Sequence, residues 1–233
     1  MKRVFAFLMI LMVMSRIIAA QSANALTPKE KKQGWLLLFD GVSSNGWTTP
    51  GGKPVPSGWE VKNGAITAVN GGKGGDIISV GEYSDFDFSI DYNIQPGCNS
   101  GIKYFYTKYE TGGNLGMEYQ ILDDKLAEDN KKENHLCGSF YDVLPVITGK
   151  KKVNPPGEWN TIRIVSKGKK VEHWMNGIKI LEFTRGDKTY TDAVALSKFN
   201  KTVPAFGMVE KGHLLLQEHG GVVSFRNIKI KTL

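Results

Sequence analysis

The chain has 233 residues, of which 30 are basic and 23 acidic, for a net charge of +7. Lys2, Arg3 and Arg16 lie in the first segment, and without them 27 basic residues face 23 acidic ones, a net charge of +4. This small surplus is scattered along the chain and is not interleaved with aromatic residues, which argues against a nucleic-acid partner.

The N-terminal segment has the layout of a cleaved secretory signal. A basic start precedes the apolar run Val4 to Met14 and a stretch of small residues that ends at Ala25. The run is too short to span a bilayer comfortably, so we expect it to be removed rather than to anchor the protein. Residues 1–25 are therefore interpreted as a signal peptide and residues 26–233 as a single periplasmic or secreted domain.

Cys98 and Cys137 are the two cysteines of the chain. A disulfide between them is possible in an oxidising compartment. A mature chain of roughly 200 residues can also bury a sufficient core without one, so two buried thiols are the alternative.

The rest of the chain is predicted to be mainly β-strands after one short helix. Thr27 and Glu30 stand in capping-box positions. Asp85 to Ile94 alternates apolar and polar residues with period two, as in a strand with one buried face. Asn63-Gly64 and Asn176-Gly177 are hairpin signals. Other strand-like runs are Trp35–Phe39, Trp59–Val61, Ala65–Val69, Ile102–Tyr109, Met117–Leu122, Thr161–Ser166, Val171–Met175, Ile178–Phe183, His213–His219 and Val222–Lys231.

Many short strands without alternating helices indicate an all-β, two-sheet antiparallel jelly-roll sandwich. Two long connections, Asp123 to Ser139 and Thr184 to Pro204, lack strand alternation. Long loops often carry function, so we expect both to contribute to a site.

The segment from Glu118 to Asp123 is the first candidate site. Glu118 and Gln120 share one strand face, and a β-bulge after Gln120 would bring Asp123 to that face. The spacing is similar to the acidic triplet of laminarinase-like sandwich glycosidases, with Gln120 in place of the central acid. Glu118 and Asp123 could form the carboxylate pair of a retaining glycosidase.

A second set of polar residues lies near the C-terminus. His213, Gln217 and His219 are predicted to share one strand face, and Arg226 follows on the next strand. A histidine can act as a base near neutral pH, and an arginine can stabilise an oxyanion while keeping its proton.

Four further residues are candidates for the site. His173 and Trp174 lie on opposite faces of one predicted strand, and Trp174 could stack on a sugar ring. Lys103 and Tyr141 are additional polar candidates.

Taken together, these segments resemble the 3-keto-disaccharide hydrolase domain family, bacterial concanavalin-like jelly rolls. The resemblance covers nearly all of the mature chain. It depends on the order and spacing of motifs, which are Leu38-Phe39-Asp40-Gly41, Gly46-Trp47, Trp59-Glu60-Val61, Asn99-Ser100-Gly101-Ile102, Glu118 to Asp124, Gly138 to Asp142, Gly157 to Asn160, Glu172 to Gly177, Leu216 to Gly220 and Phe225 to Ile228.

The resemblance implies a carbohydrate substrate, a glycoside whose sugar is oxidised at C3. A ketone at C3 acidifies the proton on C2, so a base can start an elimination and no carboxylate nucleophile is needed. Glu118 or His219 would be the base, and Lys103, Arg226 or a bound divalent cation would stabilise the enediolate.

Gln120, Asp123, Tyr141, His173, Trp174 and Gln217 would bind the substrate, and some of them could ligate that cation. Related chains often carry His-Pro just after the position of Asp124, where this chain has Lys125 to Glu128. Two alternatives stay open, a non-catalytic carbohydrate-binding module and an ordinary retaining glycosidase.

Overall fold

The computed structural model describes residues 23–69, 74–111, 113–202 and 205–233. Two 3-10 turns, Glu133–His135 and Asn200–Thr202, lie in the two long connections. The helices and strands of the described residues are α1 (Pro28–Lys32), β1 (Leu36–Leu37), β2 (Trp47–Thr48), β3 (Trp59–Lys62), β4 (Ala65–Ala68), β5 (Ile77–Tyr83), β6 (Phe86–Ile94), β7 (Asn99–Lys108), β8 (Asn114–Leu122), β9 (Asn160–Lys167), β10 (Lys170–Met175), β11 (Ile178–Thr184), α2 (Lys188–Leu196), β12 (Gly212–Leu216) and β13 (Val223–Thr232).

The strands form two antiparallel sheets, which confirms the predicted jelly-roll sandwich. The eight-stranded back sheet has the order β11-β10-β9-β6-β13-β4-β3, with β1 also paired to β13. The five-stranded front sheet has the order β2-β5-β12-β7-β8. The short helix α1 begins with the predicted capping box, in which the Thr27 side chain accepts from the Glu30 backbone and the Glu30 side chain accepts from Thr27.

The core lies between the sheets and follows the period-two patterns of the sequence. Phe88, Ile90 and Tyr92 of β6 are fully buried against front-sheet residues such as Ile102 and Tyr119. Each of these strands therefore directs its intervening residues away from the core.

Both predicted hairpins are present. Asn63 and Gly64 join β3 to β4 with φ of 54° and 72°, and Asn176 and Gly177 join β10 to β11 with φ of 48° and 80°. Asn and Gly tolerate this left-handed backbone, which matches the twist of the flanking strands.

Three elements differ from the sequence prediction. β12 ends at Leu216 rather than at His219. β5 was not predicted because Ile77 and Ile78 are adjacent and both buried, on opposite faces of the front sheet, which hides the alternation. Helix α2 was not predicted because Thr and Val have low helix propensity, and an N-cap from Asp187 to Tyr190 supports it.

Most of the predicted signal peptide, residues 1–22, lies outside the described residues. Asn24 is described, and it forms backbone-to-side-chain hydrogen bonds with Asn227 in both directions, at 2.6 and 2.8 Å. None of the described helices is long and apolar enough to span a membrane. Cys98 and Cys137 are two separate buried thiols, as in the second alternative above.

Arg185 fastens the segment after β11 to the sandwich. Its guanidinium donates to the carbonyls of Gly168 at 2.7 Å and of Gly207 and Val209 at 2.9 Å each. It also lies 4.2 Å from the ring centre of Phe105. Burial lowers the pKa of Arg185, yet these carbonyls and the ring compensate the charge.

We expect Arg185→Met to lower the free energy of unfolding by about 3 kcal/mol, because the buried hydrogen bond to Gly207 and the two partly buried ones to Val209 and Gly168 lose their charged donor. Urea unfolding followed by circular dichroism measures this change. Lys188→Met is the control, since its side chain is 87% exposed and its one ion pair among the described residues is with Asp192, one turn along the same helix. A loss as small as that of the control would show that the three hydrogen bonds contribute little.

Candidate functional site

A cavity of about 770 Å³ lies on the outer face of the front sheet, under the two long connections. Six of the predicted site residues line it, and they are Lys103, Glu118, Gln120, Tyr141, Gln217 and His219. The first connection adds Leu126, Glu128 and Asp129, and the second adds Lys198 and Phe199. Leu126 and Glu128 therefore form part of the cavity wall.

Glu118 forms the floor of this cavity. Its neighbours on β8, Met117 and Tyr119, are fully buried in the core, so the alternation directs Glu118 outward, yet it is only 6% exposed. With its nitrogen turned towards them, the Gln120 amide donates to Glu118 Oε1 at 3.1 Å and to the Ser100 carbonyl at 3.0 Å. This orientation satisfies the amide, and an ionised acid at position 120 could not donate in the same way.

Gly101 makes room for the Glu118 carboxylate. It pairs with Gln120 across β7 and β8, and a Cβ added at Gly101 would lie 2.6 Å from Glu118 Oε1. Any larger side chain would displace the carboxylate or occupy the floor. The glycine in the Asn99-Ser100-Gly101 motif is therefore required by close approach.

The ammonium of Lys103 lies between two carboxylates on this floor. Its Nζ is 3.9 Å from Glu118 Oε2 and 3.9 Å from Asp76 Oδ2. Both distances are longer than a hydrogen bond, and no other group in the described residues accepts a hydrogen bond from this ammonium. Asp76 is held by the backbone N–H of Glu218 at 3.0 Å. The N–H groups of Lys103 thus remain available to a ligand oxygen in the cavity.

Burial is the main reason that the pKa of Glu118 is raised, and the charges of Lys103 and Lys198 oppose that rise. Desolvation likewise raises the pKa of Asp76 against the opposing charge of Lys103. A carboxylate whose pKa moves towards neutrality is a stronger base than an exposed one, which suits proton abstraction.

Tyr141 lies beside Glu118, and its backbone N–H donates to the Glu118 carbonyl at 3.0 Å. Its hydroxyl donates to Asp129 Oδ2 at 2.8 Å, and the Lys198 ammonium lies 4.2 Å from its ring centre. Burial, followed by the hydrogen bond and charge of Asp129, raises the pKa of the Tyr141 phenol. Tyr141 is therefore a neutral phenol at the cavity wall.

Gln217 and His219 lie past the end of β12. The Gln217 backbone is tied to β7, donating to the Gly101 carbonyl at 3.0 Å and accepting from Ser100 Oγ at 2.8 Å. Its side chain is therefore free to line the cavity. His219 is exposed at the rim, because the strand has already ended.

The predicted role of Asp123 in the cavity is wrong. β7 and β8 pair in register from Asn99 to Tyr104, so there is no bulge after Gln120. Asp123 instead accepts the backbone N–H groups of Gly97, Lys125 and Leu126 at 2.8 to 3.4 Å. Both carboxylate oxygens are therefore used to hold the start of the long connection, away from the cavity.

His173 also does not reach the cavity. It faces the core from β10, fully buried, with Nε2 2.8 Å from the Tyr104 hydroxyl and Nδ1 2.9 Å from the Gly138 carbonyl. Desolvation lowers its pKa to about 4. It is a neutral structural histidine between the sheets.

Trp174 and Arg226 lie on the back sheet, so the prediction that they share the site with Glu118 is wrong. Trp174 donates from Nε1 to Glu172 at 2.9 Å. The Arg226 guanidinium lies 4.0 Å from the ring centre of Trp159. Period-two patterns identify the faces of a strand but not the sheet to which it belongs.

Sequence reasoning missed Asp76, Asp129 and Lys198 because no motif surrounds them. Asp76 lies immediately before β5, and the other two belong to the long connections. The only signal was that these connections are unusually long.

The predicted divalent cation remains untested. Among the described residues, no three His, Cys, Asp or Glu side chains are grouped so that they could hold a metal ion. The positive charges on this part of the cavity come from Lys103 and Lys198.

Comparison with known proteins gives consistent matches. A profile of the family described as 3-keto-alpha-glucoside-1,2-lyase-like domain matches residues 34–231. A 3-keto-disaccharide hydrolase of Bacteroides thetaiotaomicron is 31% identical over 253 residues, covering 94% of this chain and 85% of that protein. A crystal structure of a candidate glycosyl hydrolase from Parabacteroides distasonis has a TM-score of 0.81 at 33% identity, with 91% of this chain and 99% of that chain covered. A second such structure from that organism has a TM-score of 0.68 at 30% identity, with 85% and 99% covered.

We expect Lys103→Met to raise the pKa of Glu118 further, because it removes the positive charge that does most to oppose the effect of desolvation on that pKa. A carboxyl ¹³C titration of glutamate-labelled protein, with Glu118→Gln assigning the signal, measures this shift. Lys108→Met, an exposed position on the same strand, is the control and should leave the signal unchanged. An unchanged Glu118 titration in Lys103→Met would mean that the two charges are not coupled.

Proposed function

Since the chain belongs to the 3-keto-alpha-glucoside-1,2-lyase-like domain family, as its motifs predicted, we propose that it cleaves glycosides whose sugar carries a ketone at C3. The observation that carries this proposal is the desolvated Glu118 carboxylate, 3.9 Å from an ammonium whose N–H groups point to no acceptor in the described residues. A base and an electrophile side by side are what removal of a proton next to a ketone needs.

The first step is removal of the C2 proton by Glu118. The electron pair of the C2–H bond moves into a C2–C3 double bond, and the C3 oxygen becomes an enediolate. Lys103 donates to that oxygen and stabilises its charge. Asp76 holds Lys103 from the other side, since its Oδ2 is also 3.9 Å away.

In the second step the enediolate pair re-forms the C3 ketone, a C1–C2 double bond forms, and the C1–oxygen bond breaks. The aglycone leaves with the proton that Glu118 took from C2. Water then adds across the double bond, so that its oxygen bonds to C1 and its proton passes through Glu118 to C2. The sum is hydrolysis, and the new C2 proton comes from water.

The cavity walls supply the groups that hold the sugar. Gln217 and Tyr141 offer an amide and a neutral phenol to hydroxyl groups, and Gln120 keeps the Glu118 carboxylate in position through its 3.1 Å contact. His219 at the rim is suited to the departing oxygen of the aglycone. We further propose that this reaction occurs in the periplasm or outside the cell, because of the signal-like N-terminus.

An ordinary retaining glycosidase mechanism has less support. It needs two carboxylates on either side of C1, about 5 Å apart. Asp123, the second carboxylate that the sequence offered for this purpose, is held by three backbone N–H groups outside the cavity.

The purified protein is expected to release the aglycone from a 3-keto-glucoside and not from the unoxidised parent. In D₂O the released 3-keto sugar should carry deuterium at C2, which ¹H NMR detects, because elimination removes that proton and hydration replaces it. Cleavage of only the parent would exclude the keto-sugar reaction. Release without deuterium at C2 would indicate direct displacement, and binding of the 3-keto sugar without release would indicate a non-catalytic module.

Glu118→Gln should lower kcat by about 10²- to 10⁴-fold, the usual contribution of a general base. The wild-type acid limb of kcat/KM should lie above pH 4.5, the ordinary value, because a raised pKa moves loss of the active carboxylate to higher pH. Rates of 3-keto-glucoside cleavage across pH measure both effects. Glu60→Gln, an exposed glutamate on β3, is the control. A Glu118→Gln rate within a few-fold of wild type would give the role of base to another residue.

A further inference from the structure

His135 bridges two carboxylates behind the cavity wall. Its Nδ1 lies 2.7 Å from Asp129 Oδ1 and its Nε2 lies 2.8 Å from Asp142 Oδ1. The residue is 8% exposed and lies on the 3-10 turn of the first long connection. Ionised carboxylates only accept, so both contacts are hydrogen bonds when both ring nitrogens carry a proton.

The second oxygen of each carboxylate holds a residue of the cavity. Asp129 Oδ2 accepts from the Tyr141 hydroxyl at 2.8 Å. Asp142 Oδ2 accepts from the backbone N–H of Lys198 at 2.7 Å, although the two residues lie 56 positions apart. The imidazole is therefore linked to Tyr141 through one carboxylate and to Lys198 through the other.

The backbone conformation and the ionised state of Asp142 both suit this arrangement. It adopts a left-handed backbone with φ of 58°, which few non-glycine residues do. Burial works to raise its pKa, but the hydrogen bonds from His135 and the Lys198 backbone and the charge of Lys132 outweigh burial and leave the pKa lowered. Asp142 is thus an ionised acceptor in the folded protein.

We infer that His135, as an imidazolium, is a positioning residue that joins the two long connections and sets Tyr141 and Lys198 beside Glu118. This inference rests on the proposed function, because Glu118 is the base of that reaction. Lys198 lies over the Tyr141 ring, 4.2 Å from its centre, and its charge opposes the raised pKa of Glu118. Loss of the His135 bridge would therefore change the pKa of Glu118 as well as the position of the cavity wall.

The groups that face His135 are the Asp129 and Asp142 carboxylates and the Tyr141 ring, whose centre is 4.6 Å from that of the imidazole. Lys132 approaches Asp142 Oδ1 at 3.4 Å from outside. A ring nitrogen without its proton would present a lone pair to a carboxylate, so only the imidazolium donates to both Asp129 and Asp142.

The test compares His135→Gln with wild type in cleavage of a 3-keto-glucoside across pH. We expect kcat/KM to fall about 10- to 100-fold, mostly through kcat, because catalytic groups that are out of position slow the chemical step. Glu133→Gln, an exposed residue of the same 3-10 turn, is the matched control and should keep the wild-type profile.

Chemical rescue separates bridging from space filling. Imidazole added to His135→Ala should restore activity, and more so at pH values where it is protonated. 1-Methylimidazole should not, because its cation has one N–H and cannot donate to both Asp129 and Asp142. Equal rescue by the two compounds, or a His135→Gln enzyme with the wild-type rate and pH profile, would overturn the inference.

A measurement on the unmodified protein keeps this test separate from that of the function. ¹⁵N NMR of histidine-labelled protein should show both His135 nitrogens protonated in the folded protein, and only one in Asp129→Asn. A singly protonated His135 in wild type would overturn the inference even if the enzyme cleaves 3-keto-glucosides. A wild-type protein that shows the bridge but no cleavage would instead contradict the proposed function.

Discussion

The removal of the Glu118 carboxylate from water is the constraint around which the cavity is built. An ionised carboxyl group with only 6% exposure is stable only if nearby groups compensate it. Gly101 gives it space, Gln120 donates to it, and Lys103 lies 3.9 Å away. None of these compensations is complete, since burial still raises its pKa. The incomplete compensation is what makes the group a useful base.

The charge of Lys103 is likewise only partly compensated by its neighbours. Its ammonium lies between Glu118 and Asp76 at distances too long for hydrogen bonds, so it is held electrostatically and its N–H groups form no hydrogen bond with either carboxylate. A lysine in a tight ion pair would have less to offer a developing enediolate. The front sheet thus supplies both charges of the proposed reaction from neighbouring strands, β7 and β8, where Lys103 and Glu118 face each other in register.

The loops contribute a different kind of control. The long connections after β8 and β11 close over the sheet, and they are joined to each other through His135, Asp129 and Asp142. Strand pairing holds Lys103 on β7 and Glu118 on the edge strand β8 in register, whereas the loops depend on these few polar contacts for their geometry. The sheet therefore fixes the positions of the reacting groups, and the contacts between the loops fix the positions of the groups that surround them.

The alternation of β6 and the two Asn-Gly turns determined the sandwich, because side-chain period and turn chemistry are local properties that tertiary contacts rarely override. The motifs around Glu118 determined the family and one face of the cavity. Only the tertiary structure decided that Arg226 and Trp174 belong to the back sheet, that His173 faces the core, and that Asp123 caps backbone N–H groups. It also decided that Asp129 and Lys198 line the cavity and that Asp76 lies beside Lys103. Which sheet a strand joins, and where a long loop returns, depend on contacts between residues far apart in the chain, and no pattern within a strand records them.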